Sequence, residues 1–216
     1  MLKKLREPVN GLTHFFAAIL ATIGLVVLIV IARKSALKEV SLSIYGISLI
    51  LLFAASATYH MVKGSPKIIE NLRKLDHSAI YLLIAGTHTP ICMIMFSGFW
   101  KWGLTAIIWS LAVIGIIVKL FIIKAPRWLT ACVYIIMGWI CVAAIGEMLK
   151  AMPAGALVWL LIGGVVYTLG AVIYITKKLD FFPGKFGFHE VWHIFVILAA
   201  LAHFIAIAVY IAPHRI

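Results

Sequence analysis

Seven apolar stretches dominate the chain, at residues 12–32, 41–62, 77–97, 102–123, 128–148, 155–176 and 189–212. Each has about the 20 residues that a helix needs to cross the hydrocarbon of a bilayer. Lipid offers no partner to an open strand edge, so all seven are expected to be helices. The connections are short and carry Gly, Pro or charge, as in Lys63-Gly64-Ser65-Pro66, Gly98 to Lys101, Lys124 to Arg127, Met152-Pro153 and Phe182-Pro183-Gly184. The pattern predicts an all-α, integral membrane, seven-transmembrane helix bundle. No polar linker is long enough to separate two units, so residues 1–216 read as one domain. The first apolar run is too long for a signal-peptide core, and no small-residue cleavage site closes it. It is read as a retained span.

Composition agrees with this picture. The chain is 64% hydrophobic and 12% charged, against about 45–50% apolar for a soluble domain. The net charge of +12 comes from basic residues in the short connections. With seven spans, 13 Lys and Arg fall on the N-terminal side and 6 on the other. The basic side of a membrane protein faces the cytoplasm, so the N-terminus is expected inside and the C-terminus outside. No basic-aromatic motif accompanies the charge, which argues against a nucleic-acid partner. Cys92, Cys132 and Cys141 all lie in apolar stretches, form no CxxC pair and read as packing residues. Trp100, Trp102, Trp128 and Trp159 sit near span ends, as an aromatic belt would place them. Gly163, Gly164 and Gly170 in the sixth span predict close helix approach.

Ionisable residues inside such spans are costly and point to a site. The last span opens with His189-Glu-Val-Trp-His193, and histidines four apart share one helix face. That spacing is a common way for a helix to hold zinc. His60 closes the second span and Asp76 opens the third. With His189 and His193 they make four candidate ligands from three helices at one depth. Three imidazoles without a thiolate suit a catalytic Zn²⁺ site, with a position left for water. Ser56 lies one turn before His60 and is read as orienting a ligand or bonding its own backbone. Asp76 has a rival reading as the N-cap of its helix. His14, with Asn10 and Thr13, lies at the same level at the start of the first span. His88 and His203 lie deeper. His203 is ten residues past His193, ~15 Å farther along a helix, and cannot share its ion. His77 points about 100° away from Asp76 on a helix and is a weaker candidate. The HEVWH string also matches the H-E-x-x-H of zinc proteases, in which the glutamate is the general base.

Ser56-Ala-Thr-Tyr-His60, Lys74-Leu-Asp76-His-Ser, Gly86-Thr-His-Thr-Pro90 and His189-Glu-Val-Trp-His193 with His203-Phe204 follow in this order on seven spans. The set resembles the hemolysin III family of bacterial membrane proteins, which groups with the progestin and adipoQ receptors and more loosely with alkaline ceramidases. Asn10-Gly-Leu-Thr-His14 resembles the opening of the bacterial branch. The resemblance spans essentially the whole chain. It implies a seven-helix protein of the bacterial plasma membrane, with zinc on His60, His189 and His193. It also implies Asp76 beside the metal's water and Ser56 close by. The glutamate of HEVWH is not shared by the receptor branch, which counts against the protease reading. His88 stands where many relatives carry tyrosine.

The function expected is zinc-dependent hydrolysis of a lipid amide or ester, with Asp76 and Ser56 as catalytic groups and a ceramide-like or fatty-acyl membrane lipid as ligand. Two alternatives remain: a non-enzymatic regulator of membrane lipid state or receptor-like protein with structural zinc, and a cytolytic pore. No span carries a polar stripe beyond the site residues, which argues against the pore.

Overall fold

Local start signals set where the helices begin. Pro8 and Pro66 each occupy a first helical turn, where a missing N–H costs nothing. Ser35 and Ser65 cap the second and third helices, accepting hydrogen bonds from the Lys38 and Ile68 amides. The computed structural model describes residues 5–33, 35–122, 125–182 and 186–214. Among these it has seven helices long and apolar enough to span a membrane. They are α1 (Pro8–Ala32), α2 (Ala36–Met61), α3 (Pro66–Met95), α4 (Gly98–Phe121), α5 (Arg127–Ala151), α6 (Ala154–Thr176) and α7 (Phe188–Ile211). Of the turn residues expected between the last two spans, Pro183 and Gly184 lie outside the described residues, as do Lys3, Lys4, Lys34, Lys124, Lys185 and Arg215 from the charge comparison.

The all-helical, seven-span expectation holds, with one boundary well off. α3 starts at Pro66, eleven residues before the apolar run at 77. Its first turns are polar and run outside the apolar stretch. Asp76 therefore sits well inside α3, and the N-cap reading fails because Ser65 fills that role.

Three of the helices are irregular. Pro90 lacks the N–H that would continue the α3 ladder, and the last five residues, Ile91–Met95, widen into a π turn. α7 ends in a second π turn, Ala206–Ile211, which packs against the first. α5 is interrupted by a 3₁₀ stretch, Ile140–Ala144, after Gly138 and Trp139.

The helices divide into an inside and an outside. α3 is the most buried, and α1, α4 and α5 expose most of their apolar surface. Phe16, Leu20 and Val26 of α1, Val113 and Phe121 of α4 and Ile136 of α5 all face outward. In water such a surface would be a liability, whereas in lipid it is the expected exterior. The glycines of α6 do what their size suggests. A Cβ at Gly163 would meet His203, one at Gly164 would meet Trp139, and one at Gly170 would meet Phe195. They let α5 and α7 approach α6 closely. Of the three free cysteines, Cys92 is buried as expected, while Cys132 and Cys141 are only partly so.

Candidate metal centre

α2 ends where α7 begins, and this brings His60 against His189 and His193. The three imidazoles each offer a ligand nitrogen, and these nitrogens lie within 4.8 Å of one another. Their ring centroids are 4.7 to 5.2 Å apart. His60 and His193 are almost wholly buried and His189 is partly so. Nε2 of His60 and both ring nitrogens of His193 have no hydrogen-bond partner among the described residues. Buried polar atoms are ordinarily paired, so several orphaned nitrogens at one point fit a cation better than a packed core. The donor set is nitrogen-rich and lacks thiolate, as in catalytic zinc sites. Zinc–nitrogen bonds of about 2.0–2.1 Å need a slightly tighter cluster than this one, a change within side-chain reach. The nitrogens come from two helices; the Asp76 carboxylate of α3, the fourth candidate ligand, is not part of this group.

A residue that the sequence reading passed over holds His60 in place. Nδ1 of His60 lies 2.5 Å from Oε2 of Glu7, just before α1. An ionised carboxylate only accepts, so Nδ1 carries the hydrogen and the Nε2 lone pair is left for the metal. The Glu7 amide also donates to the His60 carbonyl at 2.9 Å, and the Arg6 amide to that of Met61 at 3.4 Å. Arg6 pairs with the other Glu7 oxygen at 3.2 Å. Burial works against the Glu7 charge, but the hydrogen bond from His60 and the Arg6 charge outweigh it and hold its pKa at about 2. In the sequence only its position three before Asn10 hints at a role.

Asn10 extends the network. Its Nδ2 donates to Glu190 Oε1 at 2.8 Å, and Glu190 Oε2 accepts from the Gly187 amide at 2.8 Å. Glu190 thus caps its own helix and ties α7 to α1. Both its oxygens are engaged away from the histidines, so the general-base role of the H-E-x-x-H pattern has no support here. His14 is buried and stacks on His193 with ring centroids 3.9 Å apart, and neither of its nitrogens has a partner among the described residues. Thr13 only bonds its own helix backbone.

Asp76 and Ser56 come together between α3 and α2. The Ser56 and Asp76 side chains approach one another, and both residues are buried. They stand at the head of a cavity of about 140 Å³, lined by every helix except α4. That is room for on the order of ten waters, or a stretch of chain of similar bulk. Its walls are largely apolar, including Leu52, Ile80, Leu83, Ile84, Ile135 and Val196. His88 and His203 line its far end. His77 also borders it, but its carbonyl is taken by the Tyr134 hydroxyl and its ring is outside the ligand cluster. His214, in the C-terminal tail, is exposed.

Comparison with known proteins gives the chain relatives. Residues 2–204 match the family described as Haemolysin-III related. The chain is 38% identical over 209 residues to Hemolysin-3 of Bacillus cereus, covering 96% of this chain and 92% of that protein. It is 35% identical over 206 residues to a Hemolysin-3 homolog of Bacillus subtilis, covering 94% and 93%. It is 29% identical over 222 residues to the adiponectin receptor protein of Drosophila melanogaster, covering 92% of this chain and 49% of that protein.

Proposed function

Because the chain belongs to the haemolysin-III related family of multi-pass membrane proteins, we propose that it is a zinc-dependent hydrolase of lipid amide or ester bonds. The observation that carries this is the convergence of three imidazoles with unpartnered nitrogens beside a Ser56–Asp76 pair at the head of an apolar cavity. His60, His189 and His193 would hold the ion. Zinc supplies Lewis acidity there, towards a carbonyl oxygen and towards water.

The chain's own residues do the rest. A carboxylate Oδ of Asp76 accepts a proton from the attacking water as its oxygen bonds to the carbonyl carbon. The same oxygen returns that proton to the departing nitrogen or oxygen as the old bond breaks. The Ser56 hydroxyl, beside Asp76, holds the carboxylate in position. The cavity takes the acyl chain and keeps it out of water. A ceramide-like or fatty-acyl lipid is the substrate class that fits. The excess of basic residues on the N-terminal side supports a site facing the cytoplasm, with the C-terminus outside.

The test is release of fatty acid from ceramide and from simple acyl esters by the purified, zinc-loaded protein. Asp76→Asn should retain its zinc and lose on the order of 10²–10⁴ in rate. Equal rates for the two proteins on all of these lipids would reject the hydrolase. A second reading has its own support: the three imidazoles come from α2 and α7 alone, so a metal would clamp those helices. That fits a structural ion in a non-enzymatic regulator of lipid state or a receptor-like protein. Chelation that lowers the melting temperature while no lipid is turned over would favour it. A cytolytic pore, suggested by the names of the Bacillus relatives, is tested by dye release from liposomes.

A further inference from the structure

The far end of the cavity carries polar groups that the hydrolytic reading does not use. His88 on α3 is twelve residues past Asp76, ~18 Å along a helix. His203 on α7 is ten past His193, ~15 Å along. Both rings border the cavity. His88 is only 5% exposed, and its Nε2 has no partner among the described residues. Its Nδ1 lies 2.8 Å from the Ile84 carbonyl oxygen. His203 Nε2 lies 3.2 Å from the Leu160 carbonyl oxygen. Its ring fits into the slot left by Gly163, where a Cβ would come within 2.2 Å of His203 Cδ2.

The hydrogens at this end can be placed by elimination. A carbonyl oxygen only accepts, so Nδ1 of His88 and Nε2 of His203 carry the N–H. In a neutral ring the other nitrogen then has a lone pair and no hydrogen. Three further donors are engaged. The Thr87 hydroxyl donates to the Leu83 carbonyl at 2.7 Å and that of Thr168 to the Gly164 carbonyl at 2.8 Å. Trp139 Nε1 donates to Thr168 Oγ1 at 3.0 Å. Tyr167, its ring 5.5 Å from that of His203, adds a hydroxyl that can play either role. What this end offers an occupant is chiefly acceptance: His88 Nε2 is buried without a partner among the described residues, and the His203 ring borders the same cavity.

We propose that the His88–His203 end of the cavity is a subsite for a hydroxyl group borne on a lipid chain. The hydroxyl would lie ~15–18 Å from the group held at the histidine cluster. A ketone or carboxylate brings only lone pairs and leaves the imidazoles unmatched. A charged ammonium is excluded by the cost of ions at this depth. A plain alkyl chain fills the space but leaves the His88 acceptor unpaired, which costs binding. The inference rests on the reading of the cavity as a lipid site and narrows the class of lipid that it takes.

The experiment measures binding alone, so it is independent of turnover. Purified Asp76→Asn protein in detergent is titrated with stearate, mid-chain hydroxystearates, the matching ketostearate and terminally hydroxylated palmitate, and tryptophan fluorescence is read. One hydroxylated chain should bind about fivefold or more tighter than its unsubstituted and keto counterparts, the weight of one or two net hydrogen bonds. In His88→Phe and His203→Phe that preference should vanish while stearate still binds, which also shows that the variants are folded. Gly163→Ala, which displaces the His203 ring without removing it, should weaken the preference. Equal affinity for hydroxylated and plain chains would overturn the proposal and leave this end to water. A keto chain that binds as well as the hydroxylated one would overturn the donor assignment. Failure of every chain to bind would refute the lipid site itself. A hydroxyl preference in a protein that hydrolyses nothing would keep the subsite and reject only the enzyme.

Discussion

At the His60 end of the cavity, polar side chains are held mainly by partners from other helices; at the His88 end, most are held by their own helix backbone. Glu7 reaches His60 across the α1–α2 boundary, Asn10 reaches Glu190 on α7, and Ser56 on α2 reaches Asp76 on α3. By contrast His88, Thr87 and Thr168 each bond a carbonyl four residues back. Geometry at the first end depends on the register of four helices at once. At the second end, most groups keep their place as long as their own helix does. The first arrangement suits a metal, which needs several ligands at defined distances. The second suits a contact that recognises without reacting.

Substitutions at the two ends should therefore differ in reach. The largest effect expected is from His193→Ala. Bound zinc, measured by elemental analysis of the purified protein, should fall from about one per chain to near none, because two remaining imidazoles make a poor site. His88→Phe should leave that content intact. If both variants lose metal alike, the contrast between the ends is wrong.

A smaller effect is expected from Glu7→Ala, which touches no metal but frees the His60 ring. Loss of such a supporting carboxylate typically costs about 10–100-fold in metal affinity. Competition with a chromophoric chelator measures it, and an unchanged affinity would show that His60 orients itself. The smallest effect is from Trp139→Phe, near the far end. It removes the hydrogen bond to Thr168 and keeps most of the ring's packing. A loss of about 1 kcal/mol, or a melting temperature lower by about 2–4 °C, is expected, with metal binding unaltered.

Much of this could be seen in the sequence, for reasons that particular residues show. The seven spans were legible because lipid demands long apolar helices and little else. His60, His189 and His193 were legible because imidazoles are conspicuous in such surroundings. The same rule hid Glu7, which stands just before the first apolar run and looks like an ordinary loop residue. It also hid the start of α3, where polar turns from Pro66 to Asp76 belong to the helix but not to the apolar stretch. The least hydropathic of the seven helices proved to be the most buried. An interior helix can carry polar groups that bond to its neighbours, whereas α1 must be apolar because it faces lipid. Pairings such as Asn10 with Glu190, 180 residues apart, depend on the packing of the whole bundle and leave no local trace.

The docking of Arg6 and Glu7 onto the end of α2 has a practical side. Arg6 and Glu7, just ahead of the first span, belong to the site. A purification tag or fluorescent protein joined there would pull on the hydrogen bond that aims His60. Metal content or activity measured on such a fusion would then report the attachment as much as the protein, so a reporter is better carried at the other terminus.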